Sequence, residues 1–238
     1  MTTVADLRVK IFADGADLAG MLALYRQPYI RGFTTNPTLM HKAGIRDYRA
    51  FAGEVLAAIP DRPISFEVFS DQFDEMERQA REIATWGENV YVKIPVTNTK
   101  RVPAYDLIHR LSHEGVKLNV TAIMTLGQVR DVMGGLYGGA PSCVSVFAGR
   151  VADTGRDPVP LMAAAVELVS IEAGAQLIWA SPRELLNIFQ ADAIGCHIIT
   201  VTHDILKKLD QVGRDLNDFS LDTVRMFHDD ARSAGFSL

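Results

Sequence analysis

Short apolar runs alternate with longer segments of helical periodicity from one end of the chain to the other. Eight runs have the length and composition of strands: 9–14, 32–35, 63–69, 90–96, 117–123, 143–149, 175–180 and 196–201. Several, such as Val90-Tyr91-Val92-Lys93-Ile94-Pro95-Val96, are β-branched or aromatic without strict alternation, as expected of parallel strands covered on both faces. Between them the apolar residues recur at helical spacing. In 47–59, Tyr48, Phe51, Val55 and Ile59 share one side, and helices are further predicted over 71–86, 102–114, 126–134, 158–173, 182–191 and 203–212. Gly115 stands where a helix stop belongs, and Asp157-Pro158 reads as a cap followed by a first-turn proline.

Strands alternating with helices imply βαβ units and a parallel sheet. Eight such units favour a closed (β/α)8 TIM barrel, with an open α/β sheet as the alternative. The open sheet is weakened because no Gly-x-Gly-x-x-Gly follows the first strand and no Gly-Lys-Ser/Thr phosphate loop occurs. No linker or low-complexity tract divides residues 1–238, so one barrel domain is expected. A last helix over 221–235 is surplus to a minimal barrel. Its stripe of Leu221, Val224, Phe227 and Ala231 packs either on its own barrel or, from about residue 219 onward, on a neighbouring subunit.

Active sites of such barrels sit at the C-terminal ends of the strands. Polar side chains interrupt nearly every strand there: Asp14 on the first, Thr34, Thr35 and Asn36 on the second, and Glu67 on the third. Lys93 follows on the fourth, Asn119 and Thr121 on the fifth, Ser145 on the sixth, and Ser181 just past the seventh. Buried charge is costly unless paired, so a ring of such groups is hard to explain as packing. Lys93 is the most informative. Burial disfavours the ammonium form of a lysine and makes it nucleophilic, whereas the bland alternative is a stem that snorkels to the rim. Thr34-Thr35-Asn36-Pro37 taken alone is a strand end followed by a helix cap. Asp17 is expected only to cap a helix, and His197, inside an apolar run, to be a satisfied core residue.

Composition narrows the partners. Hydrophobic residues make up 48% of the 238, ample for a large core, and the net charge of -5 argues against a nucleic-acid surface. No apolar run reaches the roughly 20 residues that span a bilayer, so no membrane partner is expected. The N-terminus lacks a signal-peptide pattern, and Cys143 and Cys196 show no metal or disulfide spacing. Buried free thiols, a cytoplasmic location and neither metal nor cofactor are the resulting expectations.

Seven segments, in order, resemble one family. Phe33-Thr34-Thr35-Asn36-Pro37-Thr38 and Tyr91-Val92-Lys93-Ile94-Pro95-Val96-Thr97 are similar to the signatures of transaldolases and the related fructose-6-phosphate aldolases. Phe12-Ala13-Asp14-Gly15, Ser65-Phe66-Glu67-Val68, Asn119-Val120-Thr121, Ser145-Val146-Phe147-Ala148-Gly149-Arg150 and Ala180-Ser181-Pro182-Arg183 extend the resemblance. It implies a class I mechanism in which Lys93 forms a Schiff base with a ketose phosphate and Asp14 is the general base. It further implies that Glu67 and Thr121 hold a catalytic water, and that Asn36 and Asn119 bind substrate hydroxyls. Thr34 and Ser145 would line the dihydroxyacetone end, with Arg150, Ser181 and Arg183 on the distal phosphate.

Glu67, Asn119 and Phe147 resemble the transferase set, since the aldolases usually carry Gln and Tyr where Glu67 and Phe147 stand. The resemblance therefore implies a transaldolase that passes a dihydroxyacetone unit to an aldose phosphate. Reversible aldol cleavage and a non-catalytic sugar-phosphate-binding barrel are the alternatives. Pro182-Arg183 departs from the usual residues after Ser181, so a sulfonate or another tetrahedral anion is a second candidate for the distal group. Short members of the family often assemble as decamers, which makes a homo-oligomer the expected state.

Overall fold

The structure, a computed structural model, describes residues 3–237. Eight parallel strands form a closed barrel in sequence order. They are β1 (Lys10–Asp14), β2 (Ile30–Thr34), β3 (Ile64–Glu67), β4 (Val90–Pro95), β5 (Leu118–Ile123), β6 (Ser142–Val146), β7 (Ala175–Trp179) and β8 (Ile198–Thr202). Pairing of β1 with β8, from Lys10–Ile198 to Asp14–Thr202, closes the ring and rules out the open sheet. The surrounding helices are α1 (Leu18–Tyr25), α2 (Pro37–Lys42), α3 (Tyr48–Ala58), α4 (Phe73–Ala84), α5 (Tyr105–His113) and α6 (Leu126–Leu136). After these come α7 (Ala148–Ala152), α8 (Val159–Val169), α9 (Leu186–Ala193), α10 (His203–Leu206) and α11 (Leu216–Ser233). None of the described helices is long and apolar enough to cross a membrane.

The barrel interior is layered by the two-residue period of the strands. Phe12, Cys143, Ile178 and Ile198 pack with Tyr91 into a plug. Gly32 belongs to this level because a Cβ there would lie 2.5 Å from the ring of Phe12. Two residues further along the same strands stand Asp14, Thr34, Lys93, Ser145 and Thr200, all lining one cleft. The polar lining of this cleft thus rests on a dry floor. Outside the barrel, the other strand face packs against the helices, where Phe33, Phe66 and Trp179 are fully buried. Each such side chain contributes about 1.5–3 kcal/mol through burial.

The pattern missed three helices and ran several strands too long, most at the ends of 63–69 and 143–149, which are observed as Ile64–Glu67 and Ser142–Val146. The α1 segment Leu-Ala-Gly-Met-Leu-Ala-Leu-Tyr is apolar nearly all round, so it has no stripe to detect. Asp17 caps it by accepting from the Gly20 N–H. The sixth strand stops at Val146 because Phe147 turns the chain into α7, whose five residues are too short for periodicity to reveal. Asp157 accepts the Val159 N–H at the start of α8, and Gly115 takes a positive φ of 91° after α5. Nδ1 of His197 accepts the Leu177 N–H, and both cysteines are free and buried, their thiols pushed up to about 12 by burial. The last helix starts earlier than expected, at Leu216, capped by Asp215, and buries none of its residues on its own barrel.

Candidate active site

A cleft of about 470 Å³ opens at the C-terminal ends of the strands, within the size range of small-molecule sites. Lys93 projects into its base. Register places Glu67 beside Lys93 on one side and Asn119 on the other. Only 6% of Lys93 is exposed. Its Nζ donates to the Thr35 carbonyl at 2.8 Å and lies 3.1 Å from Glu67 Oε2. A buried cation needs such partners, because an unpaired one would cost several kcal/mol. Glu67 is itself held from outside the barrel. The Tyr48 hydroxyl accepts the Glu67 N–H at 2.7 Å and donates to the Glu67 carbonyl at 3.0 Å.

Asp14 ends β1, and the Thr34 hydroxyl donates to its Oδ1 at 2.8 Å. Thr34 is in turn in a short contact with Thr200, whose hydroxyl therefore donates to Thr34. Burial pushes the Asp14 carboxyl above the ordinary carboxylate range, and the Glu67 charge adds to this. The Lys93 charge and the Thr34 hydrogen bond oppose it without cancelling it. Across the cleft, Ser145 donates to Asn119 Oδ1 at 2.7 Å, and Asn119 Nδ2 donates to Ser65 at 3.0 Å. Asn119 is thus largely committed to the wall, with one amide hydrogen to spare.

Thr121 is different. Its hydroxyl is buried without a partner among the described residues, and it lines the cleft. The next residue, Ala122, takes a left-handed φ of 63°, and the β5–β6 register shifts between Val120 and Ile123. Left-handed backbone costs a non-glycine residue about 1–2 kcal/mol. The strain accompanies a local irregularity of the kind that re-aims side chains beside active sites.

The distal end is built on loops. Asn36 caps α2 by accepting the Leu39 N–H at 2.9 Å, and it also lines the cleft, so the cap and the site candidate are the same residue. Arg150 is exposed on α7, over the Phe147 ring at 5.9 Å. Ser181 and Arg183 follow β7. Arg183 is not free: its Nε donates to Asp153 Oδ1 at 3.0 Å and its Nη2 pairs with Asp153 Oδ2. All eleven residues singled out from the sequence as site candidates line this one cleft.

A sequence profile described as transaldolase/fructose-6-phosphate aldolase matches residues 11–238. The chain belongs to that family. A probable transaldolase of Dehalococcoides mccartyi is 37% identical over 207 residues, covering 85% of this chain and 91% of the relative. A probable transaldolase of Streptococcus pyogenes serotype M5 is 35% identical over 206 residues with the same coverage. Among solved structures, the dihydrodipicolinate synthase of Rhodopseudomonas palustris matches with a TM-score of 0.55 at 14% identity, covering 93% of this chain and 80% of that one. This last likeness concerns the barrel fold alone.

Four groups that line or support this transaldolase-family cleft escaped the sequence. The Thr35 carbonyl and the Tyr48 hydroxyl act through backbone geometry, which residue type does not reveal. Thr200 sits in an apolar strand and reads as an ordinary β-branched residue. Ser65 was visible only as a neighbour of Glu67. Strand register was a usable signal for Ser65 alone, which pairs with Thr34 across the sheet.

Proposed function

We propose that the protein is a transaldolase that moves a dihydroxyacetone unit from a ketose phosphate to an aldose phosphate through a Schiff base on Lys93. The observation that carries this is the Lys93 amine, buried at the cleft base, 3.1 Å from Glu67 and in the same cavity as Asp14. The uncharged amine adds to the ketose C2 carbonyl, and the carbinolamine loses its hydroxyl as water to give a protonated imine. Glu67, next to the amine, and Thr121, with its unpartnered hydroxyl, are suited to hold the water that carries these protons. Asp14 accepts the C4 hydroxyl proton. The C3–C4 bond then breaks, its electrons pass to the imine, and an aldose phosphate leaves. The acceptor aldehyde reacts with the resulting enamine, Asp14 returns the proton, and hydrolysis frees Lys93.

A carboxyl raised by burial is a better base for that proton than an ordinary one. Phe147 favours transfer over simple aldol cleavage, because its ring offers no hydroxyl to protonate the enamine before an acceptor arrives. Arg150 and Ser181 offer a guanidinium and a hydroxyl to the distal phosphate, joined by the Arg183 N–H groups that Asp153 does not engage, and a sulfonate fits the same donors.

Borohydride reduction with fructose 6-phosphate, followed by peptide mapping, tests the chemistry. A reduced adduct is expected on Lys93, and an unmodified Lys93 sinks the proposal. Assays with and without an aldose phosphate acceptor separate the two activities. Cleavage without acceptor at the rate of transfer supports the aldolase instead. We also propose that α11 packs on a neighbouring copy, since Leu216, Val224 and Phe227 are exposed. A chain ending at Val212 should lose mass per particle in light scattering beyond the residues removed. An unchanged subunit number refutes this assembly.

A further inference from the structure

Apart from the exposed Arg183–Asp153 ion pair, the two loops of the distal end meet where the backbone at Gly149 passes Ala180 and Ser181. Ala180 N–H donates to the Val146 carbonyl at 2.8 Å, and the Gly149 N–H reaches the Ala180 carbonyl at 3.4 Å. At the next residue the approach leaves no room. A Cβ on Gly149 would lie 1.5 Å from the Ser181 carbonyl oxygen, 2.7 Å from its carbon and 3.3 Å from Arg183 Nε. Ser181 cannot easily yield, because it already holds a left-handed φ of 59°. The far side of its loop is pinned as well. Asn187, only 8% exposed, accepts the Arg183 and Glu184 N–H groups at 2.8 and 3.1 Å.

We propose that Gly149 is a positioning residue that sets the separation of Arg150 from Ser181 and Arg183, and so the preference for ketoses bearing a terminal tetrahedral anion. The inference rests on the reading of those three residues as the anion clamp. Arg150 immediately follows Gly149, and Arg183 lies two residues past Ser181, so both arms take their origin from this contact. A side chain at position 149 must part the loops by more than an ångström. Two-point recognition of a phosphate does not tolerate such a displacement, because its hydrogen bonds weaken steeply with distance and angle. The amine end is insulated, since Lys93 takes its partners from β3 and from Thr35 at the end of β2.

The test compares fructose 6-phosphate with fructose as donors for the wild type and Gly149→Ala. The ratio of the two kcat/KM values should fall about tenfold or more in the variant, through KM for the phosphorylated donor. Borohydride trapping of dihydroxyacetone on Lys93 reports that the amine end is intact. An equal loss on both donors, or an unchanged ratio, overturns the proposal. If Gly149→Ala does not accumulate as folded protein, Asn187→Leu and Asn187→Asp probe the same loop from its other side. The leucine should lower the ratio, and the aspartate, which keeps the acceptor oxygen, should restore it. A leucine variant with the wild-type ratio counts against the positioning role. A wild type without preference for the phosphorylated donor defeats the clamp reading itself, whereas a preference retained in Gly149→Ala defeats only the role of Gly149.

Discussion

The amine end and the distal end of the cleft lie in one cavity but are held in different ways. Lys93, Glu67 and Asp14 stand on strands, and their spacing follows from barrel register and the apolar plug beneath them. Arg150, Ser181 and Arg183 stand on connections, where one glycine contact, one buried asparagine and an exposed ion pair do the holding. The first arrangement suits chemistry, which needs reacting atoms held to within a fraction of an ångström. The second suits recognition of a group remote from the bond that breaks. Strand-borne groups should therefore control kcat, and loop-borne groups KM.

Substitutions sharpen this contrast, beginning with the proposed nucleophile. Lys93→Met should lower kcat on the order of 10^4-fold or more and abolish the borohydride adduct. Residual turnover near the wild-type level would mean that the amine is not covalent. Asp14→Asn should lower kcat by roughly 10²–10⁴-fold while imine formation persists. The acidic limb of the wild-type kcat/KM profile should lie above the ordinary carboxylate value, because burial raises the Asp14 carboxyl, and it should vanish in Asp14→Asn.

The same shift bears on stability. A carboxyl raised in the folded state binds protons more tightly there, so folding stability falls as pH rises from the unfolded value of 3.8 through the folded one. Asp14→Asn should accordingly melt higher than wild type near neutral pH, with the gain shrinking as pH falls toward 3.8. A gain independent of pH would point to packing instead. At the distal end, Arg183→Leu should raise KM for a phosphorylated donor about 10–100-fold, from the loss of charge-assisted hydrogen bonds, with a smaller change in kcat. A dominant fall in kcat would erase the division between the two ends. The smallest effect is expected at Ala122, where Ala122→Gly relieves left-handed backbone and should stabilise the fold by about 1 kcal/mol in denaturant unfolding. Lower activity in that more stable variant would tie the strain to the aim of Thr121.

This contrast also explains what the sequence disclosed. The barrel was legible because buried parallel strands leave continuous apolar runs, and a lysine inside such a run is conspicuous. All eleven candidate residues meet in one cleft because they lie near the C-terminal ends of strands or on the connections that follow, which topology converts into proximity. What stayed hidden depends on backbone. Gly149 falls at the end of an expected strand until Ser181 is seen against it, and nothing in the sequence marks Asp153 as the partner of Arg183. Short helices such as α2 and α7 carry too few turns to display a period. The exposed stripe of α11 was visible, but whether it met its own barrel depended on where the chain goes after β8.

The alternation along β4 carries one more consequence, for folding fidelity. Val92 and Ile94, on either side of Lys93, are fully buried. If β4 docked one residue out of step with β3, the ammonium would be driven into the oily layer beneath the helices and an aliphatic side chain would enter the cavity. Such a mispaired intermediate would lose the Glu67 and Thr35 contacts and strand a charge in hydrocarbon. The residue proposed for the chemistry thus also serves as a checkpoint on assembly, penalising a slipped barrel before any substrate is met.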